Sequence, residues 1–202
     1  RYNAEELIEF FGQNPVDILL LINPDNPSGN FITMDGVHKL AQWCEENNMR
    51  FVLDESFVDF SVGFANNTFL NNAILEKYPR MCVMKSISKS YGVPGLRLGI
   101  LCSADTDVIT KIKKQVSIWN INSFAQFFMQ IYPKYREDYE RACYQFIKAR
   151  EDFELELRKI PFIKVMPSQA NYFFLEVLPP YNPKKLCAIL LKKYNILASA
   201  CL

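Results

Sequence analysis

Ser86-Ile87-Ser88-Lys89-Ser90-Tyr91-Gly92-Val93-Pro94-Gly95-Leu96-Arg97-Leu98-Gly99 follows a short apolar run, Met81-Cys82-Val83-Met84. The run reads as a buried strand that ends in a loop. Hydroxyls, a lysine and an arginine then fall within twelve residues, separated by glycines that permit turns and close backbone approach. Hydroxyls and a guanidinium suit a phosphate, and a lysine beside them can form an imine with an aldehyde. A solvated loop, with Lys89 and Arg97 as ordinary surface charges, accounts for this stretch alone equally well.

Two upstream segments break the tie. Asn23-Pro24-Asp25-Asn26-Pro27-Ser28-Gly29 closes the apolar run Ile18-Leu19-Leu20-Leu21-Ile22, and Asp54-Glu55 closes Phe51-Val52-Leu53. Three successive strand ends therefore carry an amide, a carboxylate and a lysine. Open α/β sheets gather their ligands at the carboxyl ends of strands.

The ordered set of Asn23 to Gly29, Asp54-Glu55-Ser56-Phe57, and Ser86-x-Ser88-Lys89 with Arg97-x-Gly99 resembles the class I/II aminotransferases. These are pyridoxal 5′-phosphate enzymes of fold type I. The segment Trp119-Asn120-Ile121-Asn122-Ser123-Phe124-Ala125-Gln126 is similar to one in histidinol-phosphate aminotransferases and threonine-phosphate decarboxylases. A buried Trp119 with amides capping a helix explains that segment as well.

The resemblance implies part of a large three-layer α/β/α domain over residues 1–132. Residues 133–202 would then hold a linking helix and the start of a small α+β domain. It assigns Lys89 the Schiff base with the cofactor and the proton at the substrate's α-carbon. Asp54 would keep the pyridine nitrogen protonated, and Asn26 would donate to the phenolic oxygen. Ser86 and Arg97 would hold the phosphate, with Ser88 a third contact. Each has a plain alternative: Asn26 a turn former, Asp54 or Ser86 a cap, Arg97 half of a surface ion pair.

The implied activity is transfer of an amino group between an amino acid, or phosphorylated amine, and a 2-oxo acid. A pyridoxal phosphate-dependent decarboxylase, or a non-catalytic assembly domain that keeps the sheet, is the alternative. The family also implies a homodimer. At Phe57 the family usually has a tyrosine, whose hydroxyl bonds the phenolic oxygen. An upstream phosphate loop, a ring-stacking aromatic and a terminal arginine have no counterpart in these residues. The chain is therefore expected to be a piece of an enzyme, inactive alone.

Composition excludes other classes. The chain has 202 residues, half of them hydrophobic, and a formal net charge of +1. Nothing in that balance attracts nucleic acid. No apolar run approaches the ~20 residues of a membrane-spanning helix. The six cysteines form no C-x-x-C pair, so no metal or redox centre is expected and a reducing, cytoplasmic setting is. His38 is the sole histidine and is expected on a helix face without chemistry. Phe51 to Glu55 also reads as the acidic strand of an ATPase, but no G-x-x-x-x-G-K-[ST] loop accompanies it.

The remaining periodicities predict helices over Asn3 to Gly12, Thr33 to Asn47 and Asn71 to Lys77. Others are expected over Asp105 to Val116, Pro133 to Lys159 and Pro183 to Tyr194. Strands are expected at Asp17 to Ile22, continuously apolar and so buried on both faces, and at Phe51 to Asp54, Arg80 to Lys85 and Arg97 to Cys102. Two more would lie before Val177 and from Ile196 to Leu202. Strands alternating with helices predict a layered α/β domain.

Overall fold

A computed structural model describes residues 1–200. Asn3 caps helix α1 (Ala4–Gln13): its side chain accepts from the Glu6 amide, and the Glu6 carboxylate accepts from the Asn3 amide. Such a reciprocal pair satisfies two donors that a helix start leaves free. Strand β1 (Ile18–Ile22), helix α2 (Met34–Glu46), β2 (Arg50–Asp54), α3 (Asn72–Lys77) and β3 (Met81–Ser86) follow. Thr33 and Asn71 cap α2 and α3 through their side-chain oxygens. After β3 come a single helical turn, α4 (Ile87–Ser90), then β4 (Gly99–Cys102) and α5 (Thr106–Gln115), capped by Asp105.

The four strands form one sheet in the order β1-β2-β3-β4. The first three are parallel, and β4 returns antiparallel to β3 with Ser86 opposite Gly99. Leu19, Leu21, Phe51, Leu53, Met81 and Val83 point to one face, under Val37, Leu40, Ala41 and Cys44 of α2. Full burial of each large aliphatic or aromatic side chain here is worth about 1.5–3 kcal/mol.

The other face corrects the expectation that β1 is buried on both sides. Ile18 and Leu20 are 58% and 56% exposed, and Leu101 of β4 is 40% exposed. β1 is an edge strand, and among the described residues α1 and α2 cover only the Leu19 side. An apolar run reports what a strand is able to bury, not what reaches it.

Beyond α5 lie α6 (Ser123–Ile131), a 3₁₀ turn (Tyr132–Tyr135) and α7 (Arg136–Arg158). Of the segment 119–126, residues 123–126 open α6: Asn122 caps the helix and accepts from the Ala125 amide, as the plain alternative expected, whereas Trp119 is 89% exposed rather than buried. Pro133 sits in the 3₁₀ turn rather than opening the long helix. Strands β5 (Ile163–Val165) and β6 (Leu175–Val177) pair antiparallel, and α8 (Pro183–Tyr194) follows. The sequence reading anticipated β6 and missed β5. Residues 196–200 form no strand, and Ile196 and Leu197 are 52% and 83% exposed. Residues 201 and 202 of that expected strand lie outside the described residues. No helix among the described residues is long and apolar enough to cross a membrane.

The second half anchors on the turns that follow β2. Arg150 of α7 is buried, and its guanidinium donates to the carbonyls of Phe60 and Ala170. Phe146 packs on Phe60 with ring centroids 4.8 Å apart.

Candidate active site

The loop after β1 is built from its own amides. Asn23 is buried; its side chain accepts from the Ile32 amide at 2.8 Å and donates to the Ile32 carbonyl at 2.9 Å. Asp25 accepts from the amide and hydroxyl of Ser28. Asn26 is left exposed at the tip, and its side chain makes no hydrogen bond among the described residues.

Asp54 ends β2, in register with Ile22 and Met84. Its Oδ1 accepts from the Ser56 amide at 2.8 Å and from the Ser56 hydroxyl at 2.5 Å. Ser56 Oγ in turn accepts from the Ser86 amide at 2.9 Å, so one hydroxyl ties the end of β2 to the end of β3. The cap expected as the alternative role for Asp54 is therefore present, and it occupies only one of the two carboxylate oxygens. Glu55 turns the other way: it is buried and accepts from Thr68 Oγ1 at 2.7 Å and from the Phe69 amide. Burial pushes its carboxyl above the usual range.

Ser86 stands at the N-cap of α4 without a side-chain capping bond. Ser88 is buried in that turn, whereas Lys89 is exposed, with Nζ 5.9 Å from the centroid of the Phe57 ring. The Ile87 amide donates to the Leu98 carbonyl at 3.0 Å, which sets Arg97 alongside the start of α4. Arg97 has φ +56°, a left-handed conformation that costs a non-glycine residue about 1–2 kcal/mol. Its guanidinium donates to the Pro94 carbonyl at 3.3 Å, its one side-chain hydrogen bond among the described residues. Neither Lys89 nor Arg97 has a carboxylate partner among the described residues. The glycines of this loop differ from expectation. A Cβ at Gly92 or Gly95 would meet nothing within 4 Å, so Gly92 is required for its φ of +65° rather than for close approach.

All six residues singled out from the sequence lie at or just beyond the carboxyl ends of β1, β2 and β3, or beside them. Direct links join Asp54 to Ser86 through Ser56, and Lys89 to Phe57. Sequence reasoning missed Ser56, the buried pair Lys85–Asp59, and Tyr172. Asp59 did leave a signal, as a lone charge between apolar Val58 and Phe60, and Lys85 did as a charge that directly follows the apolar run Met81 to Met84. Tyr172 left none, because it reaches the site from a segment more than a hundred residues away.

The family model for aminotransferase class I and II matches residues 3–201. The chain belongs to that family. Among relatives of this aminotransferase-family chain, L-serine phosphate decarboxylase from Sulfurospirillum multivorans is 30% identical over 96% of it and 50% of that protein. A decarboxylase structure from the same organism superposes with a TM-score of 0.86 at 28% identity, covering 98% of this chain and 56% of the other. Histidinol-phosphate aminotransferase from Clostridium acetobutylicum gives a TM-score of 0.83 at 28% identity, over 96% and 56%. The aminotransferase-family chain thus spans about half the length of these proteins, and 32% and 31% of two other curated relatives.

The family's cofactor is pyridoxal 5′-phosphate, and the residues present fit it. An anionic phosphate needs hydroxyls and a cation without a competing carboxylate, as at Ser86, Ser88 and Arg97. An aldehyde needs an accessible amine, as at Lys89. A pyridinium nitrogen needs a carboxylate oxygen, which Asp54 retains.

Proposed function

We propose that this chain carries the cofactor-holding half of a pyridoxal phosphate-dependent enzyme that transfers the amino group of a phosphorylated amine or amino acid to a 2-oxo acid. The observation that carries it is Lys89: exposed, without an ion-pair partner among the described residues, on the one-turn helix that Ser86 opens at the end of β3. When bound, pyridoxal phosphate supplies an aldehyde carbon for an amine and a ring that withdraws electrons. Lys89 would hold the aldehyde end of the cofactor and would carry the proton at the substrate's α-carbon. Asp54 holds a proton on the ring nitrogen. Asn26 donates to the phenolic oxygen, and Ser86, Ser88 and Arg97 bind the phosphate. Two copies pair, as the resemblance implies.

A second reading, decarboxylation by the same residues, is favoured by the serine-phosphate decarboxylase relative and its organism's decarboxylase structure. Both readings share a substrate that bears an amine.

Borohydride reduction of the chain with excess pyridoxal phosphate tests the common core. The label is expected on Lys89 in peptide mapping. Recovery on Lys85, or equal labelling of the Lys89→Ala variant, would sink the assignment. Product analysis with O-phosphoserine, with and without a 2-oxo acid, in the longest form of the protein that contains the chain, separates transfer from loss of CO₂.

A further inference from the structure

Asn26 is exposed and its side chain makes no hydrogen bond among the described residues, so its backbone sets its position. The peptide that leads into Asn26 begins with the Asp25 carbonyl. That oxygen accepts two hydrogen bonds: one from the Gly29 amide at 2.8 Å and one from the Tyr172 hydroxyl at 2.8 Å. The first is local to the loop. The second comes from the segment between β5 and β6, 147 residues along the chain.

Tyr172 does more than reach the loop. Its ring meets Phe57 edge-on, with centroids 5.2 Å apart and planes at 83°. Phe57 is buried beside Phe60 and Ala170, and Lys89 Nζ lies 5.9 Å from its centroid. One side chain therefore braces both the peptide before Asn26 and the ring beside Lys89. Burial, with Asp25 and Asp54 nearby, pushes its phenol above the ordinary value, so it remains a donor.

Neighbours of Tyr172 close on the same loop. The Gln169 amide donates to the Gly29 carbonyl at 3.0 Å. Gly29 has φ +71°, and a Cβ there would lie 2.2 Å from Ser168 Oγ, so the loop and the Ser168 turn are in contact. Gln169 Oε1 also accepts from the Val62 amide at 2.8 Å, fixing the segment to the turn after Phe57.

We propose that Tyr172 is a positioning residue: its hydroxyl fixes the Asp25–Asn26 peptide, and through it aims the Asn26 amide at the cofactor's phenolic oxygen. The inference rests on the proposed function for what Asn26 meets, and on geometry alone for the clasp. It explains how the second sheet acts on a site built wholly on the first. With phenylalanine at position 57, Asn26 is the sole side chain assigned to that oxygen, and its placement carries correspondingly more weight.

Tyr172→Phe removes the hydroxyl and keeps the ring against Phe57. Hydrogen exchange without cofactor reads the clasp. The Gly29 and Asp25 amides are expected to exchange faster in the variant, with β2 unchanged. Pyridoxal phosphate binding reads the aim. Affinity is expected to fall about three- to tenfold, the range of one hydrogen bond. The pH midpoint of the bound cofactor's visible absorbance should rise, as it should for Asn26→Ala. In an Asn26→Ala background, Tyr172→Phe should change neither affinity nor midpoint further. Unchanged exchange would overturn the clasp; effects that simply add in the double variant would overturn the aim. If the unsubstituted chain fails to bind the cofactor, the proposed function falls with the aim, and exchange alone decides the clasp.

Discussion

Lys85 Nζ lies 2.7 Å from Asp59 Oδ1, with the two side chains only 7% and 8% exposed. Four residues on, Lys89 is exposed and has no such partner. The two lysines are each followed by a serine, and the end of β3 at Ser86 separates them, since Lys89 belongs to the turn of α4. Lys85 points into the protein from β3, and Lys89 leaves from α4. Asp59 Oδ2 is buried without a partner, so the pair hangs on a single contact. Removing one member leaves an unpaired buried charge, at a cost of about 3–5 kcal/mol. Lys85→Ala and Asp59→Ala should each lose that much in urea unfolding. Lys85→Met with Asp59→Leu should recover most of it. Lys89→Ala should stay within about 0.5 kcal/mol of the parent. A large loss at Lys89 would contradict its standing as an unpaired surface amine.

Phe57 and Asn26 set a spectroscopic prediction within the proposed function. A phenol donor at position 57 would stabilise the anionic form of the cofactor's phenolic oxygen. Phe57→Tyr should therefore lower the pH midpoint of the bound cofactor's visible absorbance, by about one unit for one charge-assisted hydrogen bond. Asn26→Ala should raise it. A Phe57→Tyr curve that stays in place or moves up would mean that position 57 does not face the ring.

What the sequence made legible were features carried by neighbouring residues. Asn3, Thr33, Asn71 and Asp105 are short polar side chains before apolar periodicity, and each caps the expected helix. Asp54, Ser86 and Lys89 were found because they stand where apolar runs stop. The misses depend on distant partners. Ile18 and Leu20 have the side chains of a buried strand, yet their exposure is decided by what packs above them. β5 is three residues long and exists through its pairing with β6. Tyr172 touches Asp25 across 147 residues, a separation that no local pattern encodes.

His38 gives the chain a pH-dependent stability. Its Nδ1 lies 3.2 Å from the hydroxyl of buried Tyr78, and its ring lies 4.7 Å from the Phe69 centroid. Burial, and then Lys77, lower its pKa from 6.5, against a weaker pull from Asp35. Between the lowered folded value and the unfolded one, the unfolded chain binds more protons. The neutral imidazole thus contributes stability that is complete above about pH 6.5 and is lost as pH falls through the folded value. The unfolding free energy of the parent minus that of His38→Gln should shrink between about pH 7.5 and about pH 5. Glu55, whose raised pKa acts in the opposite sense, is common to both proteins and cancels in the difference. A difference that is flat across this range would show that the imidazole titrates as if in water.

The last prediction concerns catalysis by these 202 residues alone. Asn26, Lys89 and Arg97 are all exposed, and the sheet face that carries Asp54 also shows Ile18, Leu20 and Leu101 to solvent. Two unit charges 4 Å apart attract by about 1 kcal/mol in water and about 4 kcal/mol at an effective dielectric of 20. An open site therefore holds the phosphate and the ring nitrogen weakly. Orientation of a substrate, which can supply ~7–11 kcal/mol of a barrier, needs walls that this face lacks. The chain should take up pyridoxal phosphate only weakly, enough for borohydride to trap it, and should show no sustained turnover of O-phosphoserine with a 2-oxo acid. The apolar face should also drive self-association that rises with concentration. Steady turnover by the purified chain, abolished by Lys89→Ala, would show that these strand ends suffice without a covered face.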